Sequence, residues 1–383
     1  MPSQKNPSES FVQHRLWSVR VTFTHKCKRD WYLSDAPLYS SFVLLFYPVL
    51  LGDMSKIGAL LQTFPEMIVL DGGLATQLEH MGFILDTDLW SAALLHSKPD
   101  AIVEAHKLFL IAGAQIIISA SYQGSTKGFM DVLKCSRDEG TALLLKSVKL
   151  AQQARDEYIA ERTGQTTVPI VAVAASCGPY GAVLHDGSEY TGDYSKLGSR
   201  VRDVLEAFHR ERLCNTLDST GADVIAIETI PSFIEAEVLQ SLCQLLKTNF
   251  WVTFCCKDGF HLSDGSKVAE AVLLFSKLDR CVAVGVNCVH PKFVTSLVKE
   301  IKSTGIHGHK RIIVYANSGE VWNSEDASWS PDPETDGADF VDYTSEWAAE
   351  GVSMIGGCCR VFDASIQQLC TKFKAKDLER LCV

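Results

Sequence analysis

Gly351-Val-Ser-Met-Ile-Gly-Gly-Cys-Cys-Arg360 is the stretch that decides the fold. A glycine suited to ending a helix stands directly before a short apolar run, and the run ends in small, chemically active residues. The same joint recurs as Gly113-Ala114 ahead of Gln115–Tyr122, and as Gly221-Ala222 ahead of Asp223–Thr229. Further runs of this kind are Met67–Leu70, Val168–Ser176, Phe250–Cys256, Cys281–Cys288 and Arg311–Ala316, which with Val352–Ile355 make eight. Amphipathic helical stretches lie between them. Ala101–Ala112 carries Ile102, Phe109 and Ala112 on one face, with Pro99 near its start and Gly113 as its stop. Leu144, Val148, Ala151 and Tyr158 line one face of the next helix. Alternation of this kind predicts parallel strands with crossover helices, and eight units favour a closed (β/α)8 barrel of the TIM type. The first run lacks a following G-x-G-x-x-G turn, which removes the main support for an open dinucleotide-binding sheet.

The 383 residues divide into an N-terminal extension, residues 1–53, and the barrel, residues 54–383. Within the extension, Phe42–Leu51 is apolar, but it is too short to span a bilayer and Pro48 interrupts it. It also lies too far along the chain for a standard signal peptide. A net charge of −10 argues against nucleic acid and anionic membrane as partners. Thirteen cysteines form an odd count in a large chain without a signal peptide, so a secreted disulfide framework is not expected. A cytoplasmic location follows, with the cysteines sorted among core, metal ligands and nucleophiles.

Chemistry in such barrels sits at the C-terminal ends of the strands. Those ends carry Asp71-Gly72-Gly73, Ser121-Tyr122-Gln123, Glu228-Thr229, Asn287-Cys288, Asn317–Glu320 and Gly356–Arg360. The long irregular stretches Gly178–Lys196 and Ser318–Tyr343 follow strands and belong to the same face. Strands six and eight are separated by one strand, so Cys288 can face Cys358 and Cys359 across the mouth. Gly356 and Gly357 supply backbone freedom for aiming the pair. Three thiolates with one open position is the arrangement of catalytic zinc. His290 is a possible fourth ligand and otherwise a loop histidine. Cys255-Cys256 reads as packing within strand five, and His307 and His309 fall at the far end. Two other readings stay open: a barrel that stores or senses zinc, and a redox protein cycling Cys358 and Cys359 as a dithiol.

Val69-Leu-Asp-Gly-Gly-Leu-Ala-Thr-Gln-Leu-Glu79, Gly285-Val-Asn-Cys288 and Ile355-Gly-Gly-Cys-Cys-Arg360 resemble the homocysteine S-methyltransferase family. Ser176–Ala182, Asp186-Gly-Ser-Glu-Tyr190 and Tyr315–Glu320 are similar to the branch that uses S-methylmethionine or S-adenosylmethionine. The resemblance spans roughly residues 65–375 and departs at Ala316, Val361 and Cys177, none of them a proposed ligand. It implies Zn2+ on Cys288, Cys358 and Cys359, with Asp71 and Glu228 holding the homocysteine amino group. On sequence alone Asp71 also reads as an ordinary helix-capping carboxylate. Glu228, ending an apolar strand, is costly to bury unpaired. Trp90 and Tyr122 are placed to face a sulfonium by cation–π contact, with core packing the alternative for Trp90. Asn287 is expected to orient the metal ligands or touch substrate. The implied reaction moves a methyl group from S-methylmethionine, or S-adenosylmethionine, to homocysteine and forms methionine. The short stretch after Arg360 lacks the longer arm and the cobalamin modules of other branches, and a monomer acting on small molecules is expected.

Overall fold

A computed structural model describes residues 55–164, 168–323, 328–332 and 340–381. The expected extension, residues 1–53, lies outside the described residues. Among the described residues ten strands occur in chain order: β1 Ile68–Val69, β2 Ile116–Ile118, β3 Ala172–Cys177, β4 Val224–Ile230, β5 Phe250–Phe254, β6 Cys281–Asn287, β7 Arg311–Ala316, β8 Glu320–Asn323, β9 Ser328–Pro331 and β10 Val352–Gly357. Eight of them pair in parallel in the order β1-β10-β7-β6-β5-β4-β3-β2. The Gln115 N–H donates to the Val69 carbonyl (2.8 Å) and the Asp71 N–H to the Ile116 carbonyl (3.0 Å). Those two bonds close β2 onto β1, and the sheet is a (β/α)8 barrel. The remaining strands, β8 and β9, form an antiparallel hairpin that the sequence did not suggest.

Side-chain alternation sorts each strand into an inner and an outer set. Ile68, Leu70, Ala172, Ala174, Val224, Ala226, Trp251, Ala283, Ile313 and Met354 fill the barrel interior. Ile57 and Leu60, from the helix Lys56–Thr63, join that cluster and close one end of it. The outward set, including Val69, Ile117, Val173, Ile225, Val252, Val284, Val314 and Ile355, packs under the surrounding helices. Two of these, Pro99–Ala112 and Arg137–Ala160, bury the faces read from the sequence: Ile102, Phe109 and Ala112 on the first, and Leu144, Val148, Ala151 and Tyr158 on the second. The joint glycines Gly113, Gly221 and Gly351 all have positive φ (109°, 72° and 100°), which only glycine adopts without strain.

Several strands are shorter than expected, because their last residues turn into the mouth. Beyond Ile118 the chain bends, and the Ser121 hydroxyl donates to the Ser176 carbonyl (2.9 Å). Cys255 and Cys256 follow β5 instead of continuing it. The Cys255 N–H donates back to the Ile230 carbonyl (3.1 Å).

Candidate active site

The inner parity that fills the barrel with apolar residues continues to its C-terminal end with polar ones. Ser176, Glu228, Thr253, Asn287 and Tyr315 stand an even number of residues beyond Ala174, Ala226, Trp251, Ala283 and Ile313. They form one polar layer above the apolar interior. The Ser176 hydroxyl donates to Glu228 Oε1. The Tyr315 hydroxyl also lies against that carboxyl, shares a bond with Thr253 Oγ1 (2.7 Å) and accepts from Trp251 Nε1 (3.1 Å). Four of the five, all but Thr253, line a cavity of about 340 Å3 at the mouth. That is the size and position expected of a small-molecule site.

Cys288, Cys358 and Cys359 stand on one wall of the cavity. Their sulfurs lie within 4.8 Å of one another, and all three residues are half-buried. The Cys288 and Cys358 sulfurs are joined, with Cα atoms 5.6 Å apart. Cys288 has a left-handed backbone (φ 50°), which turns the chain immediately after β6. At β10 the turn is made by Arg360 (φ 64°), not by the glycines. Gly356 and Gly357 are required for close approach instead. A Cβ on Gly356 would lie 2.7 Å from the Leu70 Cβ, and one on Gly357 would lie 2.1 Å from Val361 Cγ1. Gly73 serves the same packing, since its Cβ would meet the Cys358 carbonyl at 2.4 Å. The Asp71-Gly-Gly turn thus seats against the cysteine turn, which explains why the two motifs occur in one chain.

Three soft cysteine sulfurs converge beside a cavity with room for a further ligand on the cavity side, and with the Cys288–Cys358 pair reduced they fit a thiophilic metal such as zinc. His290 does not belong to that set. Its Nδ1 accepts from the Lys292 N–H (3.2 Å) at the start of the helix Pro291–Ser303, and its Nε2 faces the Gly319 carbonyl (3.2 Å) and Asp332 (3.1 Å). Cys255, read as packing, is in fact at the site's edge. Its thiol donates to the Cys288 carbonyl (3.8 Å). His307 and His309 lie apart from the site.

The expected substrate-contact residues divide. Glu228, Tyr122, Trp90 and Asn287 line the cavity, whereas Asp71 is buried just behind it. Asp71 does not cap a helix; Gly73 holds the N-cap position of Leu74–His80. The Asp71 Oδ2 accepts from the Ile118 N–H (2.7 Å), and its Oδ1 is buried without a partner. Burial pushes the Asp71 carboxyl well above the usual range, the Ile118 bond opposes this, and the Glu228 charge adds to it. Burial likewise pushes Glu228 up to about 7, against the bonds from Ser176 and Tyr315. Two buried carboxyls therefore repel each other through a site that no lysine or arginine lines. Asn287 does not reach the thiols. Its Oδ1 accepts from the Thr229 N–H (2.8 Å) and its Nδ2 donates to Thr229 Oγ1 (2.7 Å), which clamps the left-handed Thr229 (φ 62°) beside Glu228. Trp90 has positive φ (46°), uncommon for a bulky residue, at the start of the turn Trp90–Ala93.

Sequence reasoning gave no individual role to Ser176, Thr229, Tyr315 or Glu189, although each lies in a stretch it quoted. Counting by twos inward from Glu228 along each strand finds the first and third. Glu189 carries no such periodic signal, only its place in the Asp186–Tyr190 stretch of the long loop after β3. The Glu189 Oε2 accepts from the Tyr122 hydroxyl (3.1 Å). Among the described residues, no helix is long and apolar enough to cross a membrane.

The family model described as homocysteine S-methyltransferase matches residues 68–373. Homocysteine S-methyltransferase 2 of Zea mays is 41% identical over 307 residues, covering 79% of this chain and 88% of the relative. Selenocysteine Se-methyltransferase of Brassica oleracea is 39% identical over 308 residues, covering 79% and 87%. The crystal structure of the homocysteine methyltransferase MmuM from Escherichia coli in its metallated form superimposes with a TM-score of 0.70 at 36% identity, covering 83% of this chain and 99% of that one. With a barrel, a mouth and a thiol cluster that answer to this likeness, the chain belongs to the homocysteine S-methyltransferase family and is a methyltransferase.

Proposed function

We propose that this enzyme transfers a methyl group from S-methylmethionine to the thiol of homocysteine, with zinc held by Cys288, Cys358 and Cys359. The observation that carries the reading is the meeting, at one cavity, of three convergent cysteine sulfurs and two buried carboxyls, with neither lysine nor arginine in the lining. Zinc on three cysteines, with the Cys288–Cys358 pair reduced, would supply a Lewis acid that binds a thiol sulfur and lowers its pKa, so that the proton is lost to solvent at neutral pH.

The chain's own residues do the rest. An α-ammonium placed between Asp71 Oδ1 and Glu228 gives the unpartnered oxygen a donor and favours the ionised form of both carboxyls. Anchored there, homocysteine extends its sulfur toward the cysteine wall. Tyr122 and Trp90 offer ring faces to the donor's cation, and Asn287 fixes the Thr229 turn so that Glu228 keeps its aim. The methyl group then passes between two sulfurs held in line, and alignment is the protein's main contribution.

A sulfonium leaves as a neutral thioether, so it needs less assistance than a quaternary ammonium, and a cavity with net acidic lining suits a cation. S-adenosylmethionine shares that chemistry and is the second donor to test. The protein is further proposed to act in the cytoplasm as a monomer, with residues 1–53 as an extension outside the barrel. The deciding experiment measures methionine formation from homocysteine with S-methylmethionine, S-adenosylmethionine and betaine in turn, alongside metal content. A preference for betaine would overturn the donor, and full activity without bound metal would overturn the thiol site.

A further inference from the structure

The cavity carries one more acid than homocysteine needs. Its lining includes Glu189 and Glu228 together with three thiols, and neither lysine nor arginine. Glu228 faces Asp71 on the inner side, which leaves Glu189 on the outer side without a basic partner in the cavity other than His185, exposed on the rim. Glu189 stands on the short helix Ser188–Thr191 within the loop after β3. The Tyr122 hydroxyl donates to it at 3.1 Å, the Tyr190 hydroxyl lies beside it, and its charge is felt at Cys359 and at Cys255. Arg212 is close behind Tyr122, but its guanidinium is engaged by the carbonyls of Gly178 (2.9 Å), Ser121 and Tyr122.

The carboxylate is also held in place. The loop that carries it is tied down by fully buried Glu235, which accepts from the Tyr180 N–H (2.7 Å) and from the Tyr194 hydroxyl (2.6 Å). Tyr194 in turn accepts from the Gly181 N–H (3.1 Å). A fixed acid between a tyrosine hydroxyl and the thiol wall, in a cavity short of cations, is a preformed counter-charge.

We infer that Glu189 is the anionic partner of the methyl donor, and that it selects a cationic donor of the sulfonium class over neutral thioethers. This rests on the proposed function and adds to it the residue that reads the donor's charge. In the transfer, the homocysteine sulfur forms the new bond to the methyl carbon. The bond from that carbon to the donor sulfur breaks, and its electron pair stays on the leaving sulfur as a neutral thioether. The charge that Glu189 faces is thus consumed in turnover. The carboxylate favours the bound donor over the bound product, and it stabilises the donor more than a transition state whose positive charge is already fading. Its contribution belongs in the donor KM and in product release, not in kcat.

Steady-state kinetics of the zinc-loaded full chain test this, with S-methylmethionine varied at saturating homocysteine and the reverse. In E189Q the KM for S-methylmethionine rises about tenfold or more, as expected for loss of a charge-assisted contact, while kcat is not lowered. Homocysteine KM and zinc content stay within twofold of the parent, and E189D, which keeps the charge, recovers most of the donor affinity. An unchanged donor KM in E189Q overturns the inference, as does a rise in homocysteine KM instead, or a fall in kcat shared equally by E189Q and E189D. A parent enzyme that transfers no methyl group from S-methylmethionine overturns the proposed donor itself, a result distinguishable from all of these.

Discussion

In Glu228→Gln the side chain keeps its shape and its bond from Ser176, but it can no longer carry charge beside Asp71. The consequence for the ligand-free protein follows from burial. A carboxyl that ionises near 4.5 when unfolded and near 7 when folded binds its proton more tightly in the native state. Below pH 4.5 both states are protonated and nothing is lost. Between 4.5 and 7 the unfolded chain ionises first, so stability falls as pH rises, and above 7 the full cost is present. A shift of this size corresponds to about 3 kcal/mol, which the glutamine does not incur. The ligand-free variant at pH 8 should therefore unfold a few degrees above the parent, and its stability should change less between pH 5 and 8. Asp71 is still buried there, so the slope shrinks without vanishing.

Homocysteine offsets that gain. With the ammonium's partner neutral, binding should weaken by about 1.5–3 kcal/mol, roughly ten- to hundredfold in affinity. Saturating homocysteine should then stabilise the parent by about 1.5–3 kcal/mol more than the variant, which brings the two unfolding temperatures together at pH 8. Thermal unfolding by circular dichroism at four pH values, with and without homocysteine and at constant metal content, checks both halves. Parallel pH curves for parent and variant would refute the buried-acid argument. Undiminished stabilisation of the variant by homocysteine would refute the role of Glu228 in binding.

Alanine at Cys288, Cys358 or Cys359 should abolish zinc binding and turnover while leaving the barrel folded, because these residues sit at the mouth; metal analysis with circular dichroism reads both. A chain shortened to begin at Met54 should fold and stay active, since every described strand and every proposed site residue lies beyond it; a soluble, active product in the methionine assay is the expected result. His209→Ala should leave Glu235 buried without the 2.7 Å contact to the His209 ring and cost about 3–5 kcal/mol in urea unfolding. Burial alone would lower the pKa of His209, but bonds to Cys177 and Glu235 outweigh it and raise it to about 9. The stabilisation is therefore complete below about pH 6.5 and should fade as pH rises through 9 in the parent, but not in the variant.

The eight-strand barrel was legible because two periodicities and a repeated glycine joint all agreed, and the positive φ of Gly113, Gly221 and Gly351 is the physical reason for that joint. The thiol cluster was legible because strand ends six and eight must share one mouth. What the sequence could not convey were contacts between segments far apart in the chain. Cys255 looked like strand packing, yet the strand stops at Phe254 and its thiol reaches the Cys288 carbonyl. Asp71 looked equally like a cap, and only the structure removes that reading, by placing Gly73 at the N-cap of Leu74–His80. Glu189 lies in a loop whose course is set by Glu235, on the helix Phe233–Cys243 that follows the next strand.

The non-glycine residues with positive φ concentrate around the site: Trp90, His185, Thr229 and Cys288 all line the cavity, and Arg360 follows Cys359 directly. A parallel strand aims alternate side chains inward, so a strand that simply continued would carry its next inward residue beyond reach of the mouth. Thr229 and Cys288 turn left-handed directly after the inward residues Glu228 and Asn287, and Arg360 turns directly after Cys359. Each turn ends the strand's alternation where its functional side chain must stay. Such conformations cost on the order of 1–3 kcal/mol each and persist only where other bonds fix them. Those bonds are present: Asn287 holds both the N–H and the hydroxyl of Thr229, the Cys288 N–H donates to the Tyr315 carbonyl (3.1 Å), and the Arg360 N–H donates to Thr76 Oγ1 (3.1 Å) while its Nε meets Glu320 (3.0 Å). The clamps come from other strand ends, from the helix Leu74–His80 and from β8, so acid wall and thiol wall are held by one network. Asn287 joins them most directly, since it precedes Cys288 in the chain and clamps the turn beside Glu228 in space.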